Sequence, residues 1–154
     1  MGSEMCIRDS HAVVYTNDVN LSLRSRIIQQ YEGYESYTII ARSALVTSSS
    51  KIAGGCALME GAIVNGAILA QNSVINTKAV IEHGCILGNN VFVGPGAIVC
   101  GDTCIGDNVL VGAGVIIRDG IEITENVTIG MGSVVVRSIV EPGVYLGNPC
   151  RKIR

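Results

Sequence analysis

The 154-residue sequence contains no tryptophan and only one phenylalanine, so an aliphatic interior is expected. Charge is also scarce, with 16% charged residues, a net charge of −2 and no cluster of Lys or Arg. These features argue against nucleic acid or an anionic membrane surface as a partner. No apolar run approaches the roughly 18 residues that a membrane-spanning helix needs. We therefore predict no membrane association.

Histidine is rare, and the cysteines form no CxxC pair. His11 and His83 are the two histidines beside six cysteines. A zinc site needs ligands at short, paired spacings, so no metal site is predicted. In the absence of a secretory signal, the cysteines are interpreted as reduced thiols of a cytoplasmic protein.

What the sequence does contain is a repeat with a period of six. From residue 63 onward, an aliphatic side chain falls at every sixth position in thirteen successive cases. The series is Ile63, Leu69, Ile75, Ile81, Leu87, Val93, Val99, Ile105, Val111, Ile117, Ile123, Ile129 and Val135. Side chains two positions earlier are mostly small or Val, and Gly, Asn or Asp often follows, as tight corners require.

A period of six is too long for a strand and does not fit a helix. It fits one face of a triangular coil, in which three successive repeats make one full turn and stacked coils pair as parallel strands. The repeat predicts four coils over 63–135, with one more before them and one tightened corner between Leu58 and Ile63. At about 4.8 Å per coil the stack is expected to be about 25 Å long. The spacing leaves the hand of the helix open.

The segment before the repeat, 1–41, has a different character. Residues 1–10 fit neither a signal peptide nor a capped helix, and we interpret them as a non-native leader with native sequence missing upstream. A strand is predicted at 11–15, a helix at 21–31 and a second strand at 37–40. Such a strand, helix and strand resemble the end of a truncated α/β domain over 11–41.

Three stretches carry a family resemblance: 75–83 (INTKAVIEH), 93–97 (VGPGA) and 143–150 (GVYLGNPC). With the repeat, they make residues 42–154 resemble the left-handed parallel β-helix acyltransferases of hexapeptide repeats. The closer likeness is to sialic-acid O-acetyltransferases and UDP-4-amino-sugar N-acetyltransferases. The resemblance implies an all-β repeat fold, with a Rossmann-like N-terminal remnant at 11–41. It also implies a cytoplasmic homotrimer with active sites between neighbouring prisms, which acetylates a sugar or nucleotide sugar from acetyl-CoA.

The resemblance makes His83 the general base, since imidazole exchanges protons near neutral pH. It places Asn76 and Glu82 near the substrate, although an exposed carboxylate and a core asparagine ladder explain them as well. Two departures stand out: Gly84 replaces an acidic residue that orients the histidine, and Phe92 replaces a second histidine.

The resemblance also assigns acetyl-CoA contacts to Phe92, Ala113 and Met131, flanked by Gly112 and Gly130. Plain corner residues are the alternative for these glycines. The main competing function is a non-catalytic or degenerate β-helix scaffold. A zinc hydratase on the same fold would need more histidines, and an acyltransferase for amino acids or acyl carrier protein is a further alternative.

Overall fold

A computed structural model describes the backbone of residues 11–12 and residues 21–154, without the Glu35 side chain. Residues 1–10, interpreted above as a non-native leader, and most of the predicted strand at 11–15 lie outside the described residues. Strand β1 (His11–Ala12) pairs in parallel with β2 (Glu35–Ser36), and helix α1 (Leu21–Gln30) lies between them in the chain. A strand, a helix and a strand therefore follow one another as predicted, but the strand that pairs with β1 is Glu35–Ser36, just before the predicted range of 37–40.

The rest of the chain is a prism with three faces, each a sheet of short parallel strands. Sheet I contains β3 (Ile39–Ile40), β6 (Ala57–Leu58), β9 (Val74–Ile75), β12 (Phe92–Val93), β15 (Leu110–Val111), β18 (Val127–Ile129), β20 (Gly143–Leu146) and antiparallel β21 (Arg151–Lys152). Sheet II contains β4 (Leu45–Val46), β7 (Ile63–Val64), β10 (Val80–Ile81), β13 (Ile98–Val99), β16 (Ile116–Ile117) and β19 (Val134–Val135). Sheet III contains β5 (Lys51–Ile52), β8 (Ile68–Leu69), β11 (Ile86–Leu87), β14 (Cys104–Ile105) and β17 (Glu122–Ile123).

The interior of the prism is filled as the repeat predicts. The aliphatic residues of the series from Leu69 to Val135 are all buried, and so are the small or aliphatic residues two positions before them. At about 1.5–3 kcal/mol for each buried aliphatic side chain, this column is the main source of stability. The predicted interior is thus confirmed for twelve of the thirteen positions.

The exception is Ile63, which is half-buried and points outward, while Val64 is fully buried in the interior. The tightened corner therefore lies between Val64 and Leu69, one face later than predicted. Because Val64 rather than Ile63 pairs with Ile81, this coil is shorter than the regular ones by a single position. Because both residues are aliphatic, the sequence pattern does not distinguish which of them faces inward.

The β-helix is also longer than predicted. Ile39 pairs with Ala57, so the predicted strand at 37–40 is only Ile39–Ile40 and forms the first rung of sheet I. Seven parallel strands in this sheet give six steps, or about 29 Å at the strand spacing. Among the described residues, no helix is long and apolar enough to cross a membrane.

Helix α1 packs against the outer face of sheet I through a buried arginine. Arg24 is only 3% exposed. Its Nε donates to Asn90 Oδ1 at 3.0 Å, its Nη2 donates to the Asn72 carbonyl at 2.8 Å, and its guanidinium lies 5.5 Å from the Phe92 ring centroid. The helix ends one residue earlier than predicted, and its buried side chain is the cation Arg24.

Candidate functional site

His83 lies two residues after β10, on the edge of the prism between sheets II and III, and is exposed. Its carbonyl accepts a hydrogen bond of 2.8 Å from the Asp102 N–H, which fixes the backbone of the corner. The preceding Glu82 is half-buried and accepts a 3.0 Å hydrogen bond from Asn65 Nδ2. Glu82 is therefore held by the coil below, in a contact that does not involve the imidazole.

The resemblance expects an acidic residue directly after His83, and Asp102 of the next coil brings a carboxylate close to that position. Gly84 has a φ of 70°, and Asp102 has a φ of 57° one coil later. The Asp102 carboxylate lies where the Cβ of a larger residue 84 would stand. The glycine is thus matched to its neighbour, and a carboxylate lies close to the position where the resemblance expects one.

The residues assigned to acetyl-CoA lie along a different edge, between sheets I and II. Gly112 and Ala113 follow β15, and Gly130 and Met131 follow β18 one coil later. Ala113 is exposed, and Met131 is 76% exposed. A Cβ at Gly112 would lie 2.6 Å from the Met131 nitrogen, so the glycine allows the two corners to stack closely. These four residues form one continuous edge, on which the side chains of Ala113 and Met131 are accessible.

Asn76 lies on the same edge but is buried. Its Oδ1 accepts hydrogen bonds from the Thr77 N–H at 2.8 Å and from Thr77 Oγ1 at 3.3 Å. The amide oxygen is therefore used within its own corner, as in the structural alternative for this residue.

Phe92 is not grouped with the other residues assigned to the cofactor. It is 3% exposed on the outer face of sheet I, packed with Ala57, Val74 and Leu110 beneath helix α1. The ring carries Arg24 on its face, an arrangement that contributes about 0.5–2 kcal/mol. In this single chain the side chain has no open surface for a ligand.

Among residues 21–154, no group of three or more His, Cys, Asp or Glu side chains is arranged to hold an ion. Burial raises the pKa of the Cys100 thiol beside the His83 corner, and the charges of Asp119 and Glu82 raise it further. Within the described part of the chain, Cys56, Cys85, Cys100, Cys104 and Cys150 are free thiols.

The predicted site residues lie on two edges that flank the same face of the prism. His83 presents an exposed imidazole on one edge, while Ala113 and Met131 lie on the other, with sheet II between them. Sequence reasoning missed Gly101 and Asp102 at the His83 corner. Gly101 follows His83 by three repeats, and Asp102 follows Gly84 by the same spacing. Since three repeats make one coil, this spacing could have identified both residues as neighbours in the next coil.

Comparisons with known proteins agree with this fold. The sequence family described as bacterial transferase hexapeptide (six repeats) matches residues 102–137. The acetyltransferase domain of PglB from Neisseria gonorrhoeae is 31% identical, with a TM-score of 0.84 over 87% of this chain and 67% of that chain. The same domain in complex with acetyl coenzyme A is 30% identical, with a TM-score of 0.82 over the same shares of 87% and 67%.

A mutant perosamine N-acetyltransferase from Caulobacter crescentus, in complex with CoA and GDP-perosamine, is 27% identical, with a TM-score of 0.83. That match covers 87% of this chain and 65% of the other, so this chain spans about two thirds of its relatives. A search of curated protein sequences gave no match. The repeat, the three-sided prism and the 31% identical relative together establish that the chain belongs to the hexapeptide-repeat acyltransferases of the left-handed β-helix fold.

Proposed function

We propose that this chain transfers an acetyl group from acetyl-CoA to a sugar or nucleotide sugar, with His83 as the general base. The observation that carries the proposal is an exposed imidazole on the edge of a β-helix similar to acetyltransferases solved with acetyl coenzyme A and with GDP-perosamine. Because one of these relatives is an N-acetyltransferase, an amine is the favoured acceptor over a sialic-acid hydroxyl.

The chemistry requires one proton acceptor and one oxyanion partner. The His83 imidazole takes the proton from the acceptor nitrogen or oxygen while that atom attacks the thioester carbonyl. The tetrahedral intermediate then expels the CoA thiolate, which receives the proton. Backbone N–H groups at the corners are suited to the developing negative oxygen. The N–H of the exposed Ala113 supports this role, since it donates no hydrogen bond to residues 21–154.

A homotrimer is proposed because the two edges of one chain are separated by sheet II. The outward side chains of this sheet form a ladder of aliphatic residues, which supplies apolar surface to bury between copies. The ladder consists of Leu45, Ile63, Val80, Ile98, Ile116 and Val134. Packing of neighbouring prisms would bring His83 of one chain to the cofactor edge of another. Light scattering should give the mass of a trimer, and Ile98→Asp should reduce it.

Residues 11–41 are proposed to be the end of a Rossmann-like domain that binds the sugar nucleotide. The parallel pairing of β1 with β2 around helix α1 supports this assignment, since that unit is the building block of such domains. The proposed location is the cytoplasm, the compartment that suits acetyl-CoA as co-substrate and reduced thiols.

A non-catalytic scaffold is the second candidate, and two observations favour it. Phe92 is buried beneath α1 instead of facing a ligand groove. Gly84 supplies no carboxylate of its own next to His83. A scaffold would keep the fold and its assembly without turnover.

The test compares wild type with His83→Ala by calorimetry with acetyl-CoA, followed by thiol release with a panel of amino-sugar nucleotides and sialic acids. Acetyl-CoA binding by both proteins, with thiol release by wild type alone, would support the transferase. Binding without release by either protein would favour the scaffold, and absence of binding would reject the transferase.

A further inference from the structure

The imidazole of His83 lies against Gly101, the corner residue directly above it in the next coil. A Cβ added at Gly101 would stand 2.6 Å from Cε1, 2.9 Å from Nε2 and 3.1 Å from Nδ1 of His83. Because both nitrogens are nearly as close as Cε1, the ring turns its face, not its edge, toward Gly101. Because Gly101 has no side chain, the face of the His83 ring can pack directly against its backbone.

Packing is the main constraint on this ring. Within residues 21–154, the His83 side chain takes part in no hydrogen bond, and the residue is exposed. Its backbone is held by the hydrogen bond from the Asp102 N–H. Below the ring, a Cβ at Gly66 would lie 4.0 Å from the Cα and Cβ of His83, in the tightened corner. The histidine is thus placed between two glycine corners.

The geometry points to Gly101 as a positioning residue that sets the orientation of the His83 imidazole. This inference rests on the proposed function, in which His83 is the base. A ring packed by its face keeps both nitrogens accessible in the ring plane, which leaves them available to take a proton from the acceptor substrate. Gly101 is suited to this role because its backbone does not have the positive φ of Gly84 or Gly120. Glycine is therefore needed at 101 for space and not for backbone conformation.

The key variant is Gly101→Ala, whose added methyl group displaces the end of a flexible exposed side chain and leaves the backbone unstrained. We expect thermal stability close to wild type, together with a fall in kcat of about a hundredfold, as is typical of a misplaced catalytic group. The KM for acetyl-CoA should stay within about twofold, since the added methyl group contacts the imidazole and none of the residues assigned to the cofactor. The matched control is Gly120→Ala, one coil above Asp102. Its Cβ would meet nothing within 4 Å, but its φ of 65° is strained for alanine. This control should lose stability and keep kcat.

A measurement independent of activity completes the test. In wild type, the Hε1 proton of His83 should show a nuclear Overhauser effect to the Gly101 Hα protons. The signal is assigned by its loss in His83→Ala, since His11 is the only other histidine. Absence of this effect, or a Gly101→Ala protein with wild-type kcat, would overturn the inference. If wild type transfers no acetyl group, the proposed function fails, and the Overhauser effect still decides whether the ring lies on Gly101.

Discussion

The tightened corner below His83 leads to a prediction about two adjacent aliphatic residues. Val64 is fully buried in the prism, whereas Ile63 is half-buried on the outer face of sheet II. Val64→Ala removes two buried carbons at about 0.8 kcal/mol each, plus the term for the cavity that remains, or about 2–3 kcal/mol in total. Ile63→Ala removes more carbon atoms but should cost less than about 1 kcal/mol in the single chain.

Urea unfolding measures both losses. With a slope of about 2 kcal/mol per M, Val64→Ala should lower the midpoint by about 1 M. The loss from Val64→Ala should not depend on protein concentration, whereas any loss from Ile63→Ala should do so if that side chain packs between chains. A larger loss from Ile63→Ala at every concentration would refute the placement of the corner and restore an unbroken period of six.

Three further predictions concern the docked helix, the His83 corner and the assembly. Arg24→Ala should lower the free energy of unfolding by about 3 kcal/mol, because buried hydrogen-bond acceptors lose their donor, and urea unfolding with hydrogen exchange of helix α1 would detect it. Gly84→Asp should cost about 2 kcal/mol through backbone strain and contact with Asp102, and the double variant with Asp102→Gly should recover more than half, as a double-mutant cycle would measure. Mixing the inactive variants His83→Ala and Ala113→Glu, unfolded and refolded together, should restore part of the activity if sites form between chains; no recovery would contradict that assembly.

The interior of the β-helix was predictable because one rule governs it. Each coil offers three inward positions, and only aliphatic or small side chains fit the narrow prism, so a strict period of six appears in the sequence. The rule is ambiguous where two aliphatic residues are adjacent. At Ile63 and Val64 it gave the wrong inward residue, since the choice depends on how the next corner closes at Gly66.

Contacts between distant residues were less accessible to sequence reasoning. An arginine in a helix is normally expected to be solvated. The burial of Arg24 depends instead on hydrogen-bond acceptors that lie 48 and 66 positions away in the chain. Phe92 was assigned to the cofactor by correspondence with a family, and its burial depends on the same docked helix. By contrast, Gly101 was within reach, because three repeats make one coil and so place it above His83.

The proposed activity is the transfer of an acetyl group to a sugar, with His83 as the acceptor of the proton. The most direct measurement is mass spectrometry of a nucleotide-linked amino sugar after incubation with isotopically labelled acetyl-CoA, for wild type and for His83→Ala. Labelled, singly acetylated sugar is expected from wild type and none above background from His83→Ala, with similar affinity of both proteins for acetyl-CoA. Equal product from both proteins would contradict the role of His83, and binding of acetyl-CoA without any product would contradict the transferase itself.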